Sequence, residues 1–379
     1  MEFRDLKTQY KTLQREIDKA VLDVISEGNY IMGKQVVELE KQLADYVGVK
    51  HCITCANGTD ALQLALMAWG IGEGDAVFIP DFTFFATGEV VSLENATPIF
   101  VDIKEKTFNI DPEKLEKKIK KIVKEKKLRP RVIIAVDLFG CPADYNEIKK
   151  IAEKYDMLLL EDGAQGFGGS IEGKKVCSFG DISTTSFFPA KPLGCYGDGG
   201  AIFTDDDALA ELMKSYRIHG KGNDKYDNVR VGVNSRLDTI QAAILHVKLK
   251  AFREYELNDV NSLAEKYTEL LRGVVITPNI PEGYNSSWAQ YTIILPNKEK
   301  RDGLQKHLSE RNIPSNIYYI KPMHCQEAFS YLENIDIEDL EVTKDLCNRV
   351  LSLPIHPYLS EKEIEEVAFE VKLFLDGMV

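Results

Sequence analysis

Lys191 closes the run Ser186-Phe187-Phe188-Pro189-Ala190-Lys191, a short way after Glu161-Asp162-Gly163-Ala164-Gln165. A carboxylate at the end of a strand can hold a protonated ring nitrogen, and a lysine amine can form a Schiff base with an aldehyde. Those are the protein groups that pyridoxal phosphate chemistry requires, provided the fold brings the two side chains together. Phe187, Phe188 and Pro189 give Lys191 apolar company, which can desolvate the amine and favour its nucleophilic form. A surface lysine beside a turn is the ordinary alternative. Gly194, Gly197, Gly199 and Gly200 then fall within seven residues, a loop that either turns tightly or lies against a ligand.

Further groups could complete such a site. Gln165 follows Asp162 closely enough to offer an amide to the same ligand. Asn57-Gly58-Thr59-Asp60 leads straight into a helical pattern, and free amides at a helix start bind anions. Gly58 would let a phosphate approach the backbone, and the Thr59 hydroxyl can donate, although the same residues are also plain helix caps. The aromatic run after Asp81 could stack on a flat ring or belong to the core. Cys52-Ile53-Thr54-Cys55 is formally a redox or half-zinc spacing. It reads more simply as two small residues in a buried strand, because no second pair accompanies it.

The elements that must position these groups follow from hydrophobic periodicity. Residues 12 to 47 read as helix interrupted at Gly28 to Gly33. Apolar strands are expected at 76–80, 98–102, 132–136 and 157–160, with helices at 60–69, 84–93 and 146–155. That alternation predicts a mostly parallel sheet covered on both faces, with ligands at the carboxyl ends of its strands, where Asp137, Glu161 and Asp162 fall. A long helical pattern from Thr239 to Leu271 leads to a strand at 290–296 and helices at 298–311 and 361–375. The expectation is therefore α/β: a large domain over 1–245 and a smaller α+β C-terminal domain over 246–379.

With 379 residues, 44% hydrophobic and 28% charged, the chain is long enough for that core and is not of disordered composition. A net charge of -13 argues against a nucleic-acid surface, and the lysine-rich stretch 113–127 keeps its apolar residues on one face, as a solvated helix does. No apolar run approaches the roughly 20 residues that cross a bilayer. No signal peptide is visible, and seven scattered cysteines suit reduced thiols, so a cytoplasmic protein is expected, with neither metal nor membrane partner.

Taken together, these residues resemble the DegT/DnrJ/EryC/StrS family of pyridoxal-phosphate-dependent nucleotide-sugar aminotransferases. The similarity runs from Gly28-Asn29-Tyr30-Ile31-Met32-Gly33, through Asn57 to Leu62, to Arg217-Ile218-His219-Gly220 and Gly232-Val233-Asn234-Ser235-Arg236. It implies an aspartate-aminotransferase-like large domain (fold type I) and a homodimer with shared active sites. It also implies a cofactor, pyridoxal 5′-phosphate, carried on Lys191. In that scheme Asp162 pairs with the ring nitrogen and Gln165 lies near the ring hydroxyl. Gly58, Thr59 and Ser186 bind the phosphate, Asn234 reaches across from the partner subunit, and Phe84 stacks on the ring. Within the family, the stretch from Ser186 to Ala201 is similar to members that aminate C3 of a UDP-linked 3-oxo-N-acetylglucosaminuronate, enzymes of surface-polysaccharide (O-antigen) assembly. Amination at C4, or a non-catalytic regulator of the same fold, is the alternative. Glutamate is the expected donor. Arg217, His219, Tyr319, Lys321 and His324 are the candidates for contacting the nucleotide sugar, since its anionic groups need cations or hydrogen-bond donors. A histidine such as His324 could equally be held structurally.

Overall fold

The computed structural model describes residues 1–224, 226–332 and 339–377. Two amphipathic helices, α1 (Leu6–Glu27) and α2 (Lys34–Val47), lie on either side of the Gly28–Gly33 break. The Asp5 carboxylate accepts from Thr8 N at 2.8 Å and so caps α1. There follow β1 (His51–Cys55), α3 (Gly58–Ala68), β2 (Asp75–Pro80), α4 (Ala86–Leu93), β3 (Thr97–Val101), α5 (Pro112–Glu125), β4 (Arg129–Val136), α6 (Tyr145–Lys154) and β5 (Leu158–Asp162). Each of these matches an expected element to within a few residues. The chain then forms β6 (Ser170–Ile171), β7 (Lys174–Lys175), β8 (Ile182–Ser186), β9 (Gly200–Thr204) and α7 (Asp207–Tyr216).

The central sheet has the order β1-β9-β8-β5-β4-β2-β3. All neighbours are parallel except β9, which runs antiparallel to both β1 and β8. Alternate strand residues face opposite layers. Phe78, Ile133, Leu159 and Phe203 pack against α2, α5, α6 and the following helix, α8 (Thr239–Ala251). Ile53, Ile79, Ile134, Leu160 and Ile202 pack against α3, α4 and α7. Burial on both faces explains why these strands are apolar throughout rather than alternating.

Continuous with α8, a π-type turn at Phe252–Glu256 leads into α9 (Leu257–Leu271). The sequence pattern predicts one uninterrupted helix here. The extra residue in the turn carries Glu256 inward, where it is 3% exposed and accepts from Gln9 Nε2 at 2.8 Å and Tyr358 OH at 2.6 Å. Beyond it come β10 (Tyr284–Asn285), β11 (Tyr291–Ile294), α10 (Lys298–Glu310), α11 (Glu341–Arg349), β12 (Val350–Leu353) and α12 (Glu361–Leu375). β11 and β12 pair antiparallel. A separate core of Val260, Tyr267, Tyr291, Leu304, Leu351 and Val367 joins them to α9, α10 and α12. α5 buries Leu115 and Ile119, while Lys114, Lys117 and Lys120 pair with Asp102, Asp339 and Glu116.

Arg217, expected to meet substrate, is committed elsewhere. It is 4% exposed, and its Nη1 donates to Glu40 Oε1 and to Thr54 O, each at 2.6 Å. Glu40 Oε1 also accepts from Thr54 N and Oγ1, each at 2.9 Å. The group ties α2 to β1, and its partners are 177 and 163 residues away in sequence, so no local pattern announces it. Arg217→Ala should therefore lower the stability to denaturant by about 3 kcal/mol, because it leaves Glu40 enclosed without its cation. The refolded fraction should keep a wild-type KM for substrate. A raised KM with an unchanged denaturation midpoint would restore the binding role.

Candidate active site

At the carboxyl ends of the sheet strands lies a cavity of about 910 Å³. Its wall includes Gly58 and Thr59 from the start of α3, Thr83 and Phe84 after β2, Asp162 ending β5, Gln165, Ser186 ending β8, Lys191, and Tyr318 and Tyr319. The fold thus brings Lys191 and Asp162 into one chamber.

Asp162 is 5% exposed. Thr87 Oγ1 donates to its Oδ2 at 3.1 Å and Ala164 N to its Oδ1 at 3.2 Å. Burial pushes the carboxyl upward, against the pull of the Ala164 N–H, the Lys191 charge and the Thr87 hydroxyl. A cation placed beside it in the cavity would reverse that rise. Lys191 has the converse problem. Burial lowers its amine, Asp162 raises it, and the Arg4 charge lowers it again. A lowered lysine gives up its proton more readily, which favours the nucleophilic amine and its use as a proton carrier.

Close backbone approaches define the rest. A Cβ on Gly58 would stand 2.7 Å from Ser186 Cβ, so the start of α3 can lie against the end of β8 only as glycine. Asn57 caps α3 by accepting from Asp60 N at 2.8 Å, which leaves the amides of the first turn directed at the cavity wall. A Cβ on Gly194 would fall 2.5 Å from Pro189 O, so the loop carrying Lys191 closes tightly. Gln165 is held at both ends: its Oε1 accepts from Phe139 N at 2.8 Å, and its Nε2 donates to Tyr319 OH at 3.3 Å. Phe84 is 56% exposed and faces the cavity rather than the core. A helix start able to take an anion, a buried carboxylate, a lysine amine of lowered basicity and an exposed aromatic face fit a flat ring that carries a phosphate, a protonated nitrogen and an aldehyde.

Of the other candidates, Tyr319 lines the cavity and Lys321 is exposed two residues beyond it. His324 does not face the cavity. Its Nδ1 lies 2.7 Å from Asp81 Oδ2, and its backbone N donates to Oδ1 at 2.9 Å, so it fastens the loop following β2. His219 sits at a positive φ of 65° and donates its N–H to Val233 O at 2.8 Å, outside the cavity of its own chain. Asn234 bridges Ile218 and is likewise off that wall. Asp137 accepts from Ala143 N and Tyr145 OH, and Glu161 from Cys177 N, Phe179 N and Ser183 Oγ; both acids hold loops rather than line the cavity. Cys52 and Cys55 are buried in β1 with thiols pushed upward by burial, which disfavours the reactive thiolate. Among the described residues no cluster of His, Cys, Asp and Glu could hold a metal ion, and no helix is long and apolar enough to cross a membrane. Phe188, expected as apolar company for Lys191, lines the cavity, whereas sequence reasoning missed Thr87 and Tyr318, which only the tertiary fold places here.

Comparison with known proteins agrees with this geometry. A model of the DegT/DnrJ/EryC1/StrS aminotransferase family matches residues 11–372. The UDP-2-acetamido-2-deoxy-3-oxo-D-glucuronate aminotransferase of Pseudomonas aeruginosa is 44% identical over 96% of this chain and 98% of its own length. A pleiotropic regulatory protein of Geobacillus stearothermophilus is 39% identical, over 98% of this chain and 97% of its own. The crystal structure of a DegT/DnrJ/EryC1/StrS aminotransferase from Brucella abortus superposes with a TM-score of 0.95 at 48% identity, covering 99% of each chain. The chain therefore belongs to the DegT/DnrJ/EryC1/StrS family and is a pyridoxal-phosphate-dependent aminotransferase of the aspartate-aminotransferase-like fold.

Proposed function

We propose that the chain moves an amino group from glutamate to a keto nucleotide sugar, at C3 of UDP-2-acetamido-2-deoxy-3-oxo-glucuronate. The observation that carries the reaction is the meeting of Lys191 and Asp162 in one cavity, with room beside the cofactor for a sugar. The substrate assignment is supported by the similarity to the P. aeruginosa UDP-2-acetamido-2-deoxy-3-oxo-D-glucuronate aminotransferase. Its alternative within the same chemistry is amination at C4. A regulatory role like that named for the G. stearothermophilus relative is disfavoured by the presence of Lys191 in the cavity.

In this reading Lys191 holds pyridoxal phosphate through its aldehyde and Asp162 keeps the ring nitrogen protonated. Gly58, Thr59 and Ser186 hold the phosphate, Phe84 covers one ring face, and Gln165 lies near the ring hydroxyl. Asn234 completes the phosphate site of a second subunit. The exposed apolar side chains of Ile31, Val229 and Val231, on segments next to Asn234 in sequence or strand pairing, suit such a dimer contact. When bound, pyridoxal phosphate accepts the electron pair released at the donor's α-carbon. With the cofactor bound, the Lys191 amine would be the group placed to take the donor's α-proton and to return it. Burial and the Arg4 charge lower its basicity, and Asp162 raises it. Phe84, Phe188, Tyr318 and Tyr319 give the cavity an aromatic wall.

Borohydride reduction of holoenzyme should fix the cofactor on Lys191, located by peptide mass. Lys191→Ala should give no adduct and a kcat lower by about 10²–10⁴-fold. An adduct on another lysine would refute the assignment. Gly58→Ala forces its new methyl against Ser186, and cofactor release, followed by absorbance on dialysis, should become about tenfold easier. Glutamate with 3-oxo and 4-oxo nucleotide sugars should yield amino sugar, identified by mass and NMR, from the 3-oxo compound. Product from the 4-oxo compound alone would move the assignment to C4.

A further inference from the structure

Behind the cavity, the first residues of the chain meet the loop that carries Lys191. Arg4 Nη2 donates to Lys191 O at 2.9 Å and to Pro192 O at 3.2 Å, contacts that span 187 and 188 residues of sequence. These bonds reach the main chain of the lysine, and Arg4 does not line the cavity. The guanidinium has an acidic counterpart in Glu256, the residue the π-type turn carries inward. Glu256 is in turn fixed by Gln9 from α1 and by Tyr358 from the segment after β12. The residues flanking Arg4 are tied as well. Glu2 O lies 3.3 Å from His356 Nε2, and Asp5 caps α1. A second buried cation, Lys248 of α8, is 1% exposed and lies 4.8 Å from the centre of the Tyr196 ring, which belongs to the same glycine-rich loop. Elements from both ends of the chain and from the turn between α8 and α9 thus converge on the backbone of one lysine.

We propose that Arg4 is a positioning residue for transamination: its guanidinium clamps the Lys191 and Pro192 carbonyls and so sets where the lysine amine stands. The inference rests on the reading of Lys191 as the reacting amine. An amine misplaced by about 1 Å can lose as much as 10²-fold in rate, so a main-chain clamp is sufficient to matter. Arg4 also places a positive charge near the amine, which favours its neutral form; Asp162 acts in the opposite sense. The groups facing Arg4 itself are Glu256, Lys248, Tyr358 and His356. Burial, only partly offset by Glu256 and Tyr358, brings its guanidinium down to about 10, so it stays charged across the working range of such enzymes.

The test uses full-length holoenzyme carrying Arg4→Met or Arg4→Lys, with wild type as reference. Three quantities are read: kcat and KM for glutamate, the pH midpoint of the visible cofactor band, and thermal stability. Arg4→Met should lower kcat by about tenfold with KM changed less than about twofold, since transition-state geometry is lost and not binding. Removing the positive charge stabilises the protonated form beside it. The spectroscopic midpoint, and the acidic limb of the kcat profile, should therefore rise by about half a pH unit. Arg4→Lys keeps the charge without the planar fork, so it should restore the midpoint while recovering only part of kcat. Wild-type kcat and midpoint in Arg4→Met would overturn the proposal. Equal losses in both variants with neither midpoint moving would also overturn it, as the mark of a merely structural role. If Arg4→Met does not fold, Arg4→Lys decides: reduced kcat at unchanged KM supports the clamp, and full kcat refutes it. Borohydride mapping on wild type separates the two levels. An adduct away from Lys191 sinks the functional reading itself, whereas an adduct on Lys191 with insensitive Arg4 variants sinks only the clamp.

Discussion

Asp162, a carboxylate buried at the end of β5 and lining the cavity, is the group around which the site is organised. Two hydrogen bonds, from Thr87 and Ala164, do not compensate for removing Asp162 from water, and its proton affinity rises accordingly. Glu161, one residue earlier on the opposite face, accepts from Cys177, Phe179, Gly180 and Ser183 and holds the following loop, and burial raises its carboxyl as well. The neighbours differ in what they face: Asp162 lines the cavity, where a cation placed beside it would offset the burial.

The sheet meets the geometric half of this demand through its one reversed strand. β9 pairs Gly200 with Cys55 on one side and with Ser186 on the other. The ends of β1 and β8 are thereby drawn to the same level, and the start of α3 comes to lie against Ser186. Contact at that level is close: a Cβ at Gly200 would stand 2.4 Å from Asn57 O. The parallel pairing of β5 with β8 sets Asp162 opposite Thr184, two residues short of Ser186. The end of β5, the start of α3 and the end of β8 thereby line one cavity.

Much of this architecture was legible in the residues. The strands β2 to β5 are apolar because helices cover both faces, and that burial gives a strong pattern. β8, with the sequence Ile182-Ser183-Thr184-Thr185-Ser186, is just as buried but carries polar side chains that serve Glu161 and the neighbouring backbone, so periodicity did not reveal it. The anion cradle and the Lys191–Asp162 pair were recognisable because their chemistry narrows the residue types. Arg217 and His324 misled for the opposite reason. A cation that binds a ligand and one that binds Glu40 or Asp81 have the same letter, and only long-range contacts distinguish them. Arg4 drew no notice because a terminal arginine has no local partner to mark it.

Buried charge behind Lys191 is a cost that the fold could have avoided with apolar packing, since ion pairs in a core often stabilise no more than hydrophobic residues of the same volume. Stability alone therefore does not account for Arg4, Lys248 and Glu256 standing together there. Their distribution is uneven: two cations flank a single inward carboxylate, and burial has brought Lys248 down to about 8. The Arg4 charge, close to the Lys191 amine, acts in the same direction as burial and against Asp162. Asp162 favours a charged lysine, and Arg4 behind the loop counterbalances it. The amine is thus held between two opposed fields, and the hydrogen bonds to its own main chain decide how far from each it stands.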